Sequence, residues 1–301
     1  MTFCMIKPPK LMPGATIAVV APGGSIDPVQ LTRGISALES LGYKVIVGEH
    51  VYKAKGYLAG QDSERLNDLN QAIQDRDVQA IFCARGGYGS MRLLQGVDYK
   101  AFASRAKIFV GFSDITALLH AFCHRSKVIT FHGPVLKNFQ DPDDPNLKAL
   151  VQIITGEAQW RMELDQARVL RPGKVEGKVL GGNLSMITSL VGTPYFPSLE
   201  GCILFIEDTN EPLYRIDRML MSLRFKGSLA KVNGIMAGEF HSCGNNNEVD
   251  SLLLELTRDL NIPIISGAPF GHGKRNLPFP IGMPAVLDTE RMIVRSECPV
   301  R

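Results

Sequence analysis

The 301-residue chain carries 33 basic and 30 acidic residues spread along its length, and 45% apolar with 21% charged is a globular balance with enough apolar residues to bury a core in each half. No Lys/Arg block marks a nucleic-acid or membrane patch, and no apolar run approaches the roughly 20 residues that a spanning helix needs, so neither polymer is an expected partner. Six cysteines (Cys4, Cys83, Cys123, Cys202, Cys243, Cys298) are widely spaced without a C-x-x-C, and the N-terminal segment lacks a secretory h-region. Free thiols and a cytoplasmic location are therefore expected.

In chain order, "TIAVVAP" reads as a strand, followed by a helix from Asp27 to Leu41, the strand "KVIVG", a helix from Ser63 to Gln74 and the strand "VQAIFCA". A helix near Met91, the strand "KIFVGF", a helix after Ser113 and the strand "VITFHGP" complete the first half. Strands alternating with helices at this spacing predict a parallel, Rossmann-like sheet wound on both faces, with ligands at the carboxyl ends of its strands. Three of those ends carry "APGGS", "ARGGYGS" and "GFSD".

The turn-rich "QDPDDP" and a helix from Asn146 to Thr155 precede a charged, alternating stretch that reads as a strand-built connection. This divides the chain into an N-terminal α/β domain over 1–156, a linker over 157–172 and a strand-rich C-terminal α/β domain over 173–301. Within the last, "KVEGKVLGG", "GCILFIED", "VNGIMAGEF" and "PIISG" read as strands. Helices fall at Leu184 to Val191, Leu213 to Leu223 and about Val249 to Leu260, and "PAVLD" with "RMIVRS" forms a closing hairpin.

Several groups could carry chemistry. Gly86, Gly87 and Gly89 lie between a strand and a helix, where backbone N–H groups can face negative charge, but the loop matches neither a P-loop nor G-x-G-x-x-G. "APGGSID" offers Gly23 and Gly24, with Ser25 or Asp27 as a cap and Glu49 as the acid of a dinucleotide site, a thin match. His120, Cys123 and His124 share one helix without the Glu of H-E-x-x-H, so a packed helix is the reading there and neither a metal nor another cofactor is expected.

Ser113 sits where an apolar strand turns into a helix, as a cap, an anion-site residue or a nucleophile. Glu207 ends the strand "CILFIED", and His272 lies in the loop "SGAPFGHGKRNLPFPIG". With Ser113 they supply nucleophile, acid and base in the order Ser, Glu, His. Strand parity leaves open whether Glu207 or its neighbour Asp208 faces the histidine. Ile115 in place of glycine departs from the G-x-S-x-G elbow of lipases and esterases.

"ARGGYGSMRLL", "VGFSDITALLHAF", "FHGPV", "VLGGNLSMITSLVGTPY", "FIEDTNEPLYRIDRML" and "PFGHG" resemble, in order, the motifs of the L,D-carboxypeptidase family of serine peptidases, over nearly the whole chain. The family includes enzymes that trim murein tetrapeptides and the microcin-immunity peptidases. The resemblance implies Ser113 as nucleophile, Glu207 as triad acid and His272 as base, with backbone N–H groups of Gly87 and Asp114 in the oxyanion hole. It further implies a small peptide substrate, the murein tetrapeptide cut before its terminal D-alanine, and often a homodimer. Arg85, Arg215 and Lys274 are then candidates for the substrate carboxylates and Asn183 for a polar contact. The alternatives are a microcin-type peptidase acting on an acyl-adenylate amide, and a non-catalytic nucleotide- or sugar-phosphate-binding protein using the glycine loops.

Overall fold

A computed structural model describes residues 5–139, 141–157 and 159–301, and for Asn246 the backbone alone. Cys4, Gln140 at the head of the turn-rich stretch and Ala158 in the linker lie outside the described residues. The first half runs β1 (Thr16–Val20), α1 (Pro28–Ser40), β2 (Lys44–Val47), α2 (Asp62–Gln74), β3 (Val78–Cys83), α3 (Tyr99–Arg105), β4 (Ile108–Gly111), α4 (Thr116–Ser126), β5 (Thr130–His132) and α5 (Pro145–Thr155). The second runs β6 (Arg161–Glu163), β7 (Arg168–Arg171), β8 (Lys174–Asn183), α6 (Leu184–Ser189), β9 (Cys202–Thr209), α7 (Leu213–Phe225), β10 (Gly234–His241), α8 (Asn246–Leu256), β11 (Ile264–Gly271), β12 (Phe279–Ile281), β13 (Pro284–Asp288) and β14 (Ile293–Arg295).

The fold is mixed α/β with two sheets. The first has the order β12-β5-β4-β3-β1-β2, parallel except for β12. Its central strand β4, "IFVG", is buried throughout, as a parallel strand covered by helices on both faces must be. Helix starts follow the local chemistry: Asp27 accepts from the N–H groups of Val29 and Gln30 at 2.9 and 3.1 Å, and Asp144 accepts from those of Asn146 and Leu147, each ahead of a proline at the first helical position. The helix expected near Met91 is only a short 3₁₀ turn over Ser90–Leu93.

The second sheet, β6-β14-β13-β8-β9-β10-β11-β7, has a parallel centre of β8 to β11 flanked by antiparallel strands. The connection over 157–172 contributes β6 and β7 to this sheet, and "PIISG" extends as β11 to Gly271. β12 leaves its sequence neighbours and pairs antiparallel with β5, so the first sheet is completed by the second half of the chain. Its Phe279 ring lies 4.5 Å from Phe205 of β9 and 5.2 Å from Phe270 of β11, all three fully buried, which joins the sheets through one aromatic cluster. Cys83, Cys123, Cys202 and Cys243 are buried free thiols, and burial pushes Cys123 and Cys202 up to about 12. Among the described residues no helix is long and apolar enough to cross a membrane.

Candidate active site

Buried β4 delivers the chain to Ser113 through the extended Phe112, and Ser113 itself has φ 61°, in the left-handed region. A non-glycine residue held there costs of order 1–3 kcal/mol and persists only where its surroundings impose it. Here the surroundings are glycines. A Cβ on Gly86 would lie 2.9 Å from Ser113 Cβ and 3.2 Å from its Oγ, and one on Gly23 would lie 2.5 Å from the Gly86 carbonyl oxygen. The loops after β1 and β3 are bonded together by Gly24 N–H donating to Gly86 O at 2.8 Å. Gly87 follows with φ 88°.

Asp114 is buried, and its carboxylate accepts from the N–H groups of Gly89 (3.2 Å) and Ser90 (2.9 Å), while its carbonyl accepts from Ser90 Oγ at 2.6 Å. Burial raises its pKa, against the bonds from Ser90 and Gly89 and the nearby charge of Arg65. The side chain thus fastens the glycine loop to the serine turn, leaving the backbone for other work. Among the described residues the N–H groups of Gly87 and Asp114 donate to no protein acceptor.

Glu207, fully buried near the end of β9, and His272, just past β11, close on this turn from the second sheet. Glu207 Oε2 lies 2.6 Å from His272 Nδ1, and His272 Nε2 lies 3.1 Å from Ser113 Oγ. A carboxylate only accepts, so Nδ1 carries the proton and Nε2 of the neutral ring receives the serine hydroxyl. Gly271, at φ 116°, is needed where it stands, because a Cβ there would be 3.0 Å from Glu207 Cβ and 3.1 Å from its Oε2. Burial alone would lower the His272 pKa. The bond and charge of Glu207, with the charges of Asp208 and Glu239, outweigh it and leave the imidazole above its ordinary value.

Asp208 points the other way. Its oxygens accept from Asn183 Nδ2, from the Ser185 N–H and Oγ, and from the Thr209 N–H, at 2.8 to 3.0 Å. Asn183 is buried, and its Oδ1 accepts from Met186 N–H to cap α6. Arg85 donates to Ser25 O at 2.7 Å, and exposed Arg215 pairs with Glu211 at 3.3 Å. Lys274 and His272 line a cavity of about 1030 Å³ with Arg168, Glu239 and Arg275, whereas Arg85, Asn183 and Arg215 do not. Sequence reasoning passed over Glu239, Arg275 and Asn276, and weighed His132 only as an extra metal ligand beside His120, Cys123 and His124. His120 is fully buried, with Nε2 2.8 Å from Gly181 O, and burial pushes it down to about 4. Among the described residues no group of three or more His, Cys, Asp or Glu could hold a metal ion.

A serine activated by a carboxylate-oriented histidine, with free N–H groups beside it, is equipped for acyl transfer. The close approach of Gly86 gives a direct check. Gly86→Ala should keep the fold and lower turnover about 100-fold, since about 1 Å of nucleophile displacement costs that much; wild-type kcat in the purified variant would show that the loop yields.

The sequence profile described as the LD-carboxypeptidase N-terminal domain matches residues 17–133, and that of the LD-carboxypeptidase C-terminal domain matches 176–287. The chain is 39% identical to a probable murein peptide carboxypeptidase of Bacillus subtilis, over 94% of this chain and 92% of that protein. It is 30% identical to the microcin C7 self-immunity protein MccF of Escherichia coli, over 85% of this chain and 84% of that one. A muramoyltetrapeptide carboxypeptidase structure from Oxalobacter formigenes superposes with a TM-score of 0.82 at 32% identity, covering 93% of this chain and 97% of the other. MccF in complex with glutamyl sulfamoyl guanosine superposes at 0.90 and 25% identity, covering 97% and 98%.

Proposed function

The chain belongs to the LD-carboxypeptidase family, and from that membership we propose that it is a serine peptidase releasing the terminal D-alanine of murein tetrapeptide during cytoplasmic peptidoglycan recycling. The observation that carries the reading is the unbroken line of contacts from Glu207 through His272 to Ser113. His272 Nε2 takes the Ser113 proton as Oγ attacks the scissile carbonyl, and returns it to the departing amine. Negative charge on the tetrahedral intermediate is met by the N–H groups of Gly87 and Asp114; one such donor is worth about 100- to 1,000-fold in rate. Water activated by the same histidine then cleaves the acyl-enzyme. Lys274, in the cavity beside the base, is the candidate best placed for a substrate carboxylate.

A second reading, cleavage of an acyl-adenylate-type amide, is favoured by the likeness to MccF and by the exposed Tyr57 and Tyr88, whose ring centroids lie 5.4 Å apart beside the glycine loop and offer faces for a nucleobase. Mass spectrometry of a panel separates the two. D-alanine should be released from tetrapeptide, with pentapeptide and an aminoacyl-sulfamoyl nucleoside untouched; cleavage of the nucleoside alone would reverse the order.

The pH dependence has a fixed sign. Turnover needs neutral His272, whose pKa is raised, so activity should climb with pH through a midpoint above an ordinary histidine's 6.5. The protonated His272–Glu207 pair stabilises the fold fully below the unfolded pKa, and that contribution is lost as pH rises through the folded one. Activity and this part of stability therefore move in opposite directions, and a midpoint below 6.5 in kcat/KM would contradict the assignment.

A further inference from the structure

The nucleophile and its N–H donors belong to the first sheet, whereas acid and base belong to the second. A working triad needs the two held to about 0.5 Å. Asn276, buried four residues beyond His272, makes the connection. Its Oδ1 lies 3.0 Å from the N–H of Gly271, the residue before the base, and 3.1 Å from Nε2 of His132. The Gly271 N–H can only donate, so the atom facing it is the amide oxygen. His132 must then donate from Nε2 to that same oxygen, which sets its tautomer.

His132 is fully buried and is the register partner of Gly111, two residues before Ser113. Its ring stacks on Phe279 of β12 at 4.2 Å and 11°. Burial pushes its pKa down to about 3, so it stays neutral throughout the working range. The base's loop is closed by Leu277 N–H donating to Pro269 O at 2.9 Å. It is fastened to α5 by Asn146, which accepts from Asn276 N–H at 2.8 Å and donates to Lys274 O at 3.1 Å. Among the described residues the Asn276 Nδ2 has no partner, so only the oxygen of this amide is in use.

We propose that Asn276 is the positioning residue of the base: its side-chain oxygen, fixed by His132, ties the loop carrying His272 to the strand beside the nucleophile's strand. The proposal rests on the Ser-His-Glu reading, and its test needs no peptide substrate. The rate of fluorophosphonate labelling, assigned to Ser113 by its loss in Ser113→Ala, is followed against pH in Asn276→Ala, Asn276→Asp and Asn146→Ala, with melting temperature as the control for folding. Among the described residues, the charges that act on His272 are those of Glu207 and Asp208 from β9 and Glu239 from β10, with neutral His132 from β5 nearby and Arg168, Lys274 and Arg275 lining the same cavity.

Asn276→Ala should be labelled about 100-fold more slowly, with the acid limb at lower pH because His272 loosens from Glu207. Asn276→Asp keeps the acceptor and should stay within about tenfold of wild type, and Asn146→Ala should shift in the same direction by less. A role in folding alone would lower the melting temperature and leave the limb in place. Wild-type rate and limb in folded Asn276→Ala, or in Asn146→Ala if the former does not fold, would overturn the clamp. So would Asn276→Asp as slow as Asn276→Ala. A wild-type protein not labelled at Ser113 would instead overturn the triad reading and the clamp with it.

Discussion

Ser113→Ala and His272→Ala should each lower kcat by about 10⁴- to 10⁶-fold, and the double variant should be little worse than either alone. Removing the serine takes away the nucleophile. Removing the histidine leaves a hydroxyl whose proton has no acceptor, because Nε2 is the ring atom at 3.1 Å from Oγ. Each loss disables the same step, so the free energies do not add, as in other Ser-His-acid enzymes. Single-turnover rates of the three variants on tetrapeptide check this, and losses that multiply would mean that the residues act separately. Both side chains sit at a cleft and are only partly buried, so both variants should fold, Ser113→Ala with an unchanged melting temperature and His272→Ala with a lower one, because buried Glu207 loses its partner.

Glu207→Gln should cost about 10⁴-fold, the magnitude of an acid-to-amide change in a triad. Glu207 is fully buried and its Oε1 has no partner among the described residues, so its charge is directed at His272. The amide keeps the volume but no longer steadies the imidazolium or raises its pKa. Asp208→Asn, one residue on, should keep turnover within about tenfold and lower the melting temperature. Both Asp208 oxygens accept from donors, one a side-chain amide and a backbone N–H, the other a backbone N–H and a hydroxyl. Whichever way the new amide turns, its NH₂ meets a donor, a conflict worth about 1–3 kcal/mol. An inactive Asp208→Asn beside a normal Glu207→Gln would reverse the acid's identity.

The strands of the first sheet were legible because "TIAVV" and "IFVG" are unbroken apolar runs that suit burial on both faces. The charged, alternating stretch after α5 reads as strand-built and does hold β6 and β7, "RME" and "RVLR", but at three and four residues these are too short for the sequence to place singly. β12, "FPI", contains a proline, which ordinarily argues against a strand and is accommodated here at a sheet edge. Residue types at strand ends pointed to Ser113 and His272. The choice of Glu207 over Asp208 came from the family resemblance, since parity cannot tell which face meets a loop 65 residues away. Asn276 was illegible for a different reason: its partner His132 is 144 residues distant, and nothing local gives an asparagine in a loop a long-range task.

The return of β12 to pair with β5 also governs how the protein is made. During synthesis the strand order β5-β4-β3-β1-β2 can form as soon as the first 132 residues have emerged, but its β5 edge stays open until Ile281 does. An uncovered edge presents free N–H and C=O groups to any other chain, so the nascent protein carries an aggregation-prone flank through about half of its translation. The capping strand is also the one whose Phe279 stacks on His132. Sealing that edge and bringing the catalytic base alongside the nucleophile are then a single late event in maturation, and a chain truncated before residue 279 would be both inactive and exposed to self-association.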